Sequence, residues 1–259
     1  MTADSILLRE DRDGVATLTM NRPAQRNALS MALMAEMIGA LEAIHGDPNV
    51  KAVVIAGAGP AFCAGHDLKE IRANPGREIY EALFSRCSQL MLTVTRLRQP
   101  VIARVHGIAT AAGCQLAAQC DLAVAANNAR FAVSGVNLGL FCSTPAVALS
   151  RNVGRKRAAE MLLTGDFIDA ATAEEWGLVN RVCPPERLME TVDELANNLK
   201  AKPREVLALG KSLFYRQLEA GLADAYRDAS RTISCNMVAP VAQEGVDAFL
   251  QKRPPSWKG

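Results

Sequence analysis

At about 150 residues per domain, a chain of 259 residues makes one large domain, or one domain with an appendage. A composition that is 49% hydrophobic, 22% charged and only 5% aromatic belongs to a folded protein with an aliphatic core, which excludes disorder as the main state. Twenty-nine Lys and Arg against 27 Asp and Glu leave a formal charge of +2, too small for a dedicated nucleic-acid binder, so any anionic ligand must be met locally.

The longest apolar stretch, 101–118, carries Arg104, His106 and Gln115, so no membrane insertion is expected. The opening MTADSILLREDRDG has neither the apolar run of a secretion signal nor the acid-poor character of a transit peptide, and a cytoplasmic location is the expectation. Seven cysteines without a C-x-x-C pair point to reduced thiols rather than a disulfide framework. His45, His66 and His106 form no metal-binding pair, so metal-free chemistry is expected.

Along the chain, Ile6–Leu8 and Val15–Met20 read as a hairpin around the turn DRDG. Ser30 is placed to cap a helix through Ile44, whose apolar residues Leu33, Met34, Met37, Ile38, Leu41 and Ile44 recur at three- and four-residue steps. Lys51–Ala56 is a continuous apolar run, the mark of a buried strand. A helix is expected from near Asp67, with Asp67 as its cap, and a longer one over Ile79–Leu97, ended by Pro100. Val101–Val105 is a second buried strand, Gly107–Gly113 a small-residue loop, Cys114–Gln119 the first turns of a helix, and Leu122–Ala125 a strand. Helical patterns then dominate: 145–152, 155–163, 170–175, 185–200, 204–219 and 221–238. Two apolar faces in this tail need a cover, one with Val206, Leu209, Leu213, Phe214 and Leu218, the other with Leu222, Ala225, Tyr226, Ala229 and Ile233.

Gly57-Ala58-Gly59 follows a strand as a dinucleotide-binding loop does, but Pro60 and Phe62 stand where that motif needs an open turn and a third glycine. A different set of segments fits together. Asn21-Arg22-Pro23 with Arg26-Asn27-Ala28-Leu29-Ser30, Ala61-Phe62-Cys63-Ala64-Gly65-His66-Asp67-Leu68-Lys69-Glu70, and Gln99-Pro100 leading to Ala111-Ala112-Gly113-Cys114-Gln115 resemble the enoyl-CoA hydratase/isomerase (crotonase) superfamily in order and spacing. Asn137-Leu138-Gly139, Leu163-Thr164-Gly165, Glu175-Trp176-Gly177 and Glu244-Gly245-Val246 continue the match over nearly the whole chain, and the combined motifs look closest to the enoyl-CoA hydratase domain-containing protein 3 group.

The resemblance implies an α/β fold, a crotonase-like spiral of ββα turns over 1–200 with a C-terminal helical oligomerisation region over 201–259, assembled as a homotrimer or a dimer of trimers. It implies an acyl-CoA thioester as ligand, with coenzyme A part of the substrate and no separate cofactor. By motif position the thioester oxygen would be held by the backbone N–H groups of His66 and Ala112, the latter where the family usually has glycine. Ala28, Ala64, His66, Asp67, Leu68 and Lys69 would flank the coenzyme, Arg22 or Arg26 would approach its phosphates, and Lys252 would reach the nucleotide from the same or a neighbouring subunit.

The same comparison exposes a departure. Hydratases of the family use two glutamates, and the matching positions here carry Gln115, which cannot exchange a proton near neutral pH, and Gly135, which has no side chain. Robust hydration is therefore not expected. Cys142 is the remaining candidate reactive group, where the methylmalonyl-CoA decarboxylase branch, similar in its Gly-His-Asp and Asn-Leu-Gly segments, has a tyrosine nearby. A catalytically silent acyl-CoA-binding protein is the competing expectation.

Overall fold

The computed structural model describes residues 5–257; residues 1–4 of the opening segment read above, and 258–259, lie outside it. The hairpin forms as β1 (Leu7–Arg12) and β2 (Val15–Met20), closed by Asp13 and Gly14, both at the positive φ that two-residue turns demand. The chain continues through α1 (Met31–His45), β3 (Ala52–Gly57), α2 (Leu68–Ala73), α3 (Arg77–Arg96), β4 (Val101–Val105), β5 (Ile108–Thr110), α4 (Ala112–Gln119), β6 (Leu122–Ala126) and β7 (Arg130–Ala132). Then come α5 (Ser143–Asn152), α6 (Arg155–Thr164), β8 (Ile168–Asp169), α7 (Ala170–Glu175), β9 (Arg181–Cys183), α8 (Leu188–Lys200), α9 (Arg204–Leu218), α10 (Leu222–Met237) and α11 (Pro240–Leu250).

Six strands form one sheet in the order β1-β2-β3-β4-β6-β9, parallel except for the opening hairpin, and β5-β7-β8 form a second. Successive turns repeat one order: β4, β5, α4, then β6, β7, α5. In the earlier turns the single bridges Leu29↔His66 and Cys63↔Ala109 extend the second layer where full strands are absent. This is the ββα spiral that the sequence motifs led us to expect. The second-layer strands have only two or three residues, too short for alternation to register, so the segment 107–113 expected as a loop contains β5.

The large sheet is buried on both faces, as its continuous apolar runs require. Val53, Ile55, Val101, Ala103, Val105, Ala123 and Ala125 pack into the main core with α1, α3 and α4. Their neighbours Val54, Ile102, Val124 and Ala126 face Leu188, Val192 and Ala196 of α8. Ser30 Oγ accepts from Leu33 N–H at 3.2 Å and so caps α1, whose six expected apolar residues are all buried.

One buried cluster fixes α9 to this core. Lys211 Nζ lies 2.6 Å from Asp121 Oδ2 and donates to the carbonyls of Val94 and Gln99, while Asp121 also accepts from Val101 N–H and the Tyr215 hydroxyl. The apolar residues of the tail are covered far less. No apolar residue of α9 is buried, α10 buries only Ala225, and Phe214, Leu218, Leu222, Tyr226 and Ile233 are each more than half exposed. Beyond the helices expected up to 238 the structure adds α11, with Pro240 at the first helical position that proline favours. Among the described residues no helix is long and apolar enough to cross a membrane.

Candidate functional site

Two loops meet where the second layer joins α4. Cys63 N–H donates to Ile108 O at 3.1 Å, Thr110 N–H donates to Cys63 O at 3.0 Å, and Thr110 Oγ1 donates to Ala64 O at 3.0 Å, so the segment before His66 is fastened along β5. The approach is close enough to exclude side chains. A Cβ on Gly113 would lie 2.1 Å from the Cys63 carbonyl oxygen. Gly65, at φ 95°, has its Cβ direction 3.0 Å from Ala111 Cβ and 3.6 Å from the Ala112 nitrogen.

The backbone pattern turns two N–H groups toward this junction. Leu29 donates to Gly65 O at 2.8 Å and accepts from Asp67 N–H at 3.1 Å. In a parallel ladder the residue between two such bonds faces the other way, so the N–H of His66 points away from Leu29, to the edge on which Cys63 meets β5. On the opposite wall, Ala111 holds φ 49° and ψ −118°, with its own N–H donated to Ala132 O at 2.9 Å, and this turn starts α4 at Ala112, two residues earlier than the sequence reading had it. Among the described residues neither His66 N–H nor Ala112 N–H has a protein acceptor. Ala112 also heads a helix, where unpaired N–H groups and the helix dipole favour negative charge.

The side chains around the junction are mostly buried and uncharged. The His66 ring meets Phe84 of α3 edge-on at 5.3 Å; its Nε2 is buried without a partner, and burial pulls its pKa down to about 4, so it is neutral near pH 7. An open cleft of about 510 Å³ runs along α3 and shares Phe84. Gln115 is buried, and its Oε1 lies 3.8 Å from the Cys87 thiol. Gly135 N–H donates to Cys142 Sγ at 3.3 Å, and a Cβ on Gly135 would stand 2.7 Å from that sulfur and 2.8 Å from Leu140 O. Burial pushes the Cys142 thiol up despite the Gly135 hydrogen bond, which makes it a neutral thiol rather than an activated thiolate.

Asp67 is the helix cap the sequence suggested, accepting from Lys69 N–H and Glu70 N–H. Its other oxygen takes Arg22 Nη2 at 2.8 Å, and Arg22 Nη1 donates to Ala28 O. Burial raises the Asp67 pKa, but Arg22 and the two N–H groups outweigh it and hold the carboxyl below its usual range. Arg22 is thus engaged within the protein and Arg26 is exposed, as are Leu68 and Lys69, while Ala28 is buried and Ala64 half-buried. Lys252 follows α11, which packs on α10, and no hydrogen bond or ion pair ties it to these loops within one chain. The Arg22–Asp67 pair and the contact of Phe84 with His66 were not read from sequence, because residues 45 and 18 positions apart share no local pattern.

Comparison with known proteins shows the family. The family described as Enoyl-CoA hydratase/isomerase matches residues 10–259. The chain is 44% identical to "Enoyl-CoA hydratase domain-containing protein 3, mitochondrial" of Rattus norvegicus, over 95% of this chain and 82% of that protein. It is 34% identical to the 2,3-dehydroadipyl-CoA hydratase of Escherichia coli (strain K12), over 99% of both. An enoyl-CoA hydratase crystal structure from Mycobacterium smegmatis superposes with a TM-score of 0.96 at 58% identity, over 98% of this chain and 99% of the other. The chain belongs to the enoyl-CoA hydratase/isomerase family and has the crotonase fold.

Proposed function

We propose that this protein acts on an acyl-CoA thioester through an oxyanion hole made of the His66 and Ala112 N–H groups. The observation that carries this reading is the pair of N–H groups without protein acceptors in two loops fastened to each other. A thioester oxygen bound there would gain negative charge as an enolate forms, and pre-positioned donors favour that state over the ground state; one such donor is worth about 10²–10³-fold in rate. Ala28, Ala64, Leu68 and Lys69 flank the thiol arm of the coenzyme, Arg26 supplies an exposed guanidinium for its phosphates, and Lys252 serves a neighbouring subunit's site. Coenzyme A is part of the substrate, and no further cofactor is required by this chemistry.

The reaction is one that forms or uses the enolate without a carboxylate at 115 or 135. Gln115 is buried beside Cys87, and the space beside Gly135 is filled by Cys142 and Leu140, which supports slow hydration. Loss of carbon dioxide from a malonyl-type thioester meets that condition, since breaking the C–C bond itself delivers the electron pair. The test is incubation with enoyl-, hydroxyacyl- and malonyl-type CoA thioesters, with products followed by mass spectrometry. Turnover of any class above solvent background supports an enzyme; tight binding without turnover identifies a silent acyl-CoA-binding protein, and brisk hydration overturns the reading of 115 and 135.

The helical region 201–259 serves assembly into a homotrimer or a dimer of trimers in the same reading. Leu222, Tyr226, Phe249 and Leu250 are 75%, 69%, 82% and 71% exposed in one chain, which leaves large apolar side chains for a second copy to cover. Sedimentation equilibrium checks it: a mass near 27.7 kDa, that of a single chain, refutes self-assembly.

A further inference from the structure

We propose that Arg22 is a positioning residue for the oxyanion hole, acting through Asp67 on the His66 N–H group rather than by touching substrate. This rests on the two-amide reading above and extends it to a residue that the sequence comparison had offered as a phosphate contact.

Three observations define the linkage. Arg22 bridges the two segments that pair at His66: Nη1 holds the carbonyl of Ala28, which precedes Leu29 on one, and Nη2 holds the carboxylate of Asp67, which follows His66 on the other. Leu29 then fixes both flanks of His66 by its bonds to Gly65 O and Asp67 N–H. Asn27 anchors the other end, with Oδ1 accepting from Arg22 N–H and Nδ2 donating to the carbonyls of Ala58 and Ala61. The Arg22 side chain is only 17% exposed and that of Asp67 12%, so the pair works where solvent screens it little. A planar two-pronged donor suits this bridge because it holds two acceptors at a fixed angle, which a lysine ammonium does with less constraint. Asp67 meanwhile caps α2 through its other oxygen, so one carboxylate fixes the helix start and the preceding N–H together.

The consequence is geometric. With Arg22 removed, the backbone bonds of Leu29 to Gly65 and Asp67 remain but the side-chain bridge from Ala28 O to Asp67 is lost, which loosens the His66 N–H relative to Ala112; displacement of a reacting group by about 1 Å costs about 10²-fold in rate. The test measures the hole without requiring a known reaction. Bound 2,4-hexadienoyl-CoA reports polarisation of its carbonyl as a red shift in absorbance, and S-hexyl-CoA, a thioether with no carbonyl, reports coenzyme binding alone. Arg22→Met and Asp67→Asn should lose most of the red shift while S-hexyl-CoA binds as in the wild type, and Arg22→Lys should restore part of it. Asp67→Asn keeps a capping oxygen for α2, so it decides the matter if Arg22→Met does not fold. A wild-type red shift in a folded Arg22→Met or Asp67→Asn variant overturns the proposal, as does weakened S-hexyl-CoA binding in Arg22→Met, the sign of a direct phosphate contact. Absence of a red shift in the wild type sinks the two-amide reading itself and the positioning role with it.

Discussion

Adding one methyl group at Gly65 tests the oxyanion hole from its most crowded side. In Gly65→Ala the new Cβ would lie 3.0 Å from Ala111 Cβ and 3.2 Å from Thr110 O, distances at which the neighbours must give by a few tenths of an ångström. The backbone there holds φ 95°, where an L side chain adds strain of about 1–2 kcal/mol. At about 2–4 °C per kcal/mol for a chain of this size, the melting temperature should fall by roughly 2–8 °C. The function should suffer more than the fold. The atoms pushed, Ala111 Cβ and Thr110 O, belong to the two residues that lead into Ala112, whose N–H is one of the two donors; full loss of such a donor costs about 10²–10³-fold, and misalignment costs part of that. The assay pairs the red shift of bound 2,4-hexadienoyl-CoA with turnover of whichever thioester proves to be a substrate. Gly46→Ala is the control, since nothing lies within 4 Å of its added methyl. A folded Gly65→Ala protein with wild-type red shift and turnover would refute the placement of the hole at the His66 and Ala112 N–H groups.

Lys211→Met leaves Asp121 buried without its cation, and breaking such a pair from one side costs about 3–5 kcal/mol; urea unfolding that finds less than about 1 kcal/mol would contradict that cost. His66 has its pKa lowered from 6.5 to about 4 by burial, so the neutral ring contributes stability above pH 6.5 that is lost as pH falls toward 4. That loss amounts to about 3 kcal/mol; wild type should lose it between pH 7 and pH 4 relative to His66→Phe, and parallel pH profiles of the two would contradict the burial. Gly135→Glu should cost about 1–3 kcal/mol by overpacking against Cys142 and Leu140, without a gain in hydration. Full thermal stability together with new hydratase activity would show that the loop readily accommodates a carboxylate.

Local pattern carried the parts of the fold whose residues are neighbours in sequence. The three- and four-residue steps from Leu33 to Ile44 placed α1, Ser30 and Asp67 marked helix starts, and the largely apolar runs at 51–56 and 101–105, interrupted only by Lys51 and Arg104, placed two strands buried on both faces. Family motifs added the spiral order and pointed to His66 and Ala112. They did not supply the two-residue strand β8, whose local signal is weak, or α11, whose opening Pro240 was there to be read.

Sequence alone determined that positions 115 and 135 hold no carboxylate, because residue type needs no coordinates. Tertiary structure decided what stands there instead: Cys142 Sγ and Leu140 O crowd Gly135, and the Cys87 thiol from α3 meets Gln115. It likewise decided that Arg22 meets Asp67 across 45 residues and that two unpaired N–H groups border one junction. Hydrogen bonds and close contacts act over a few ångströms in space, and only the folded chain brings such distant positions within that range.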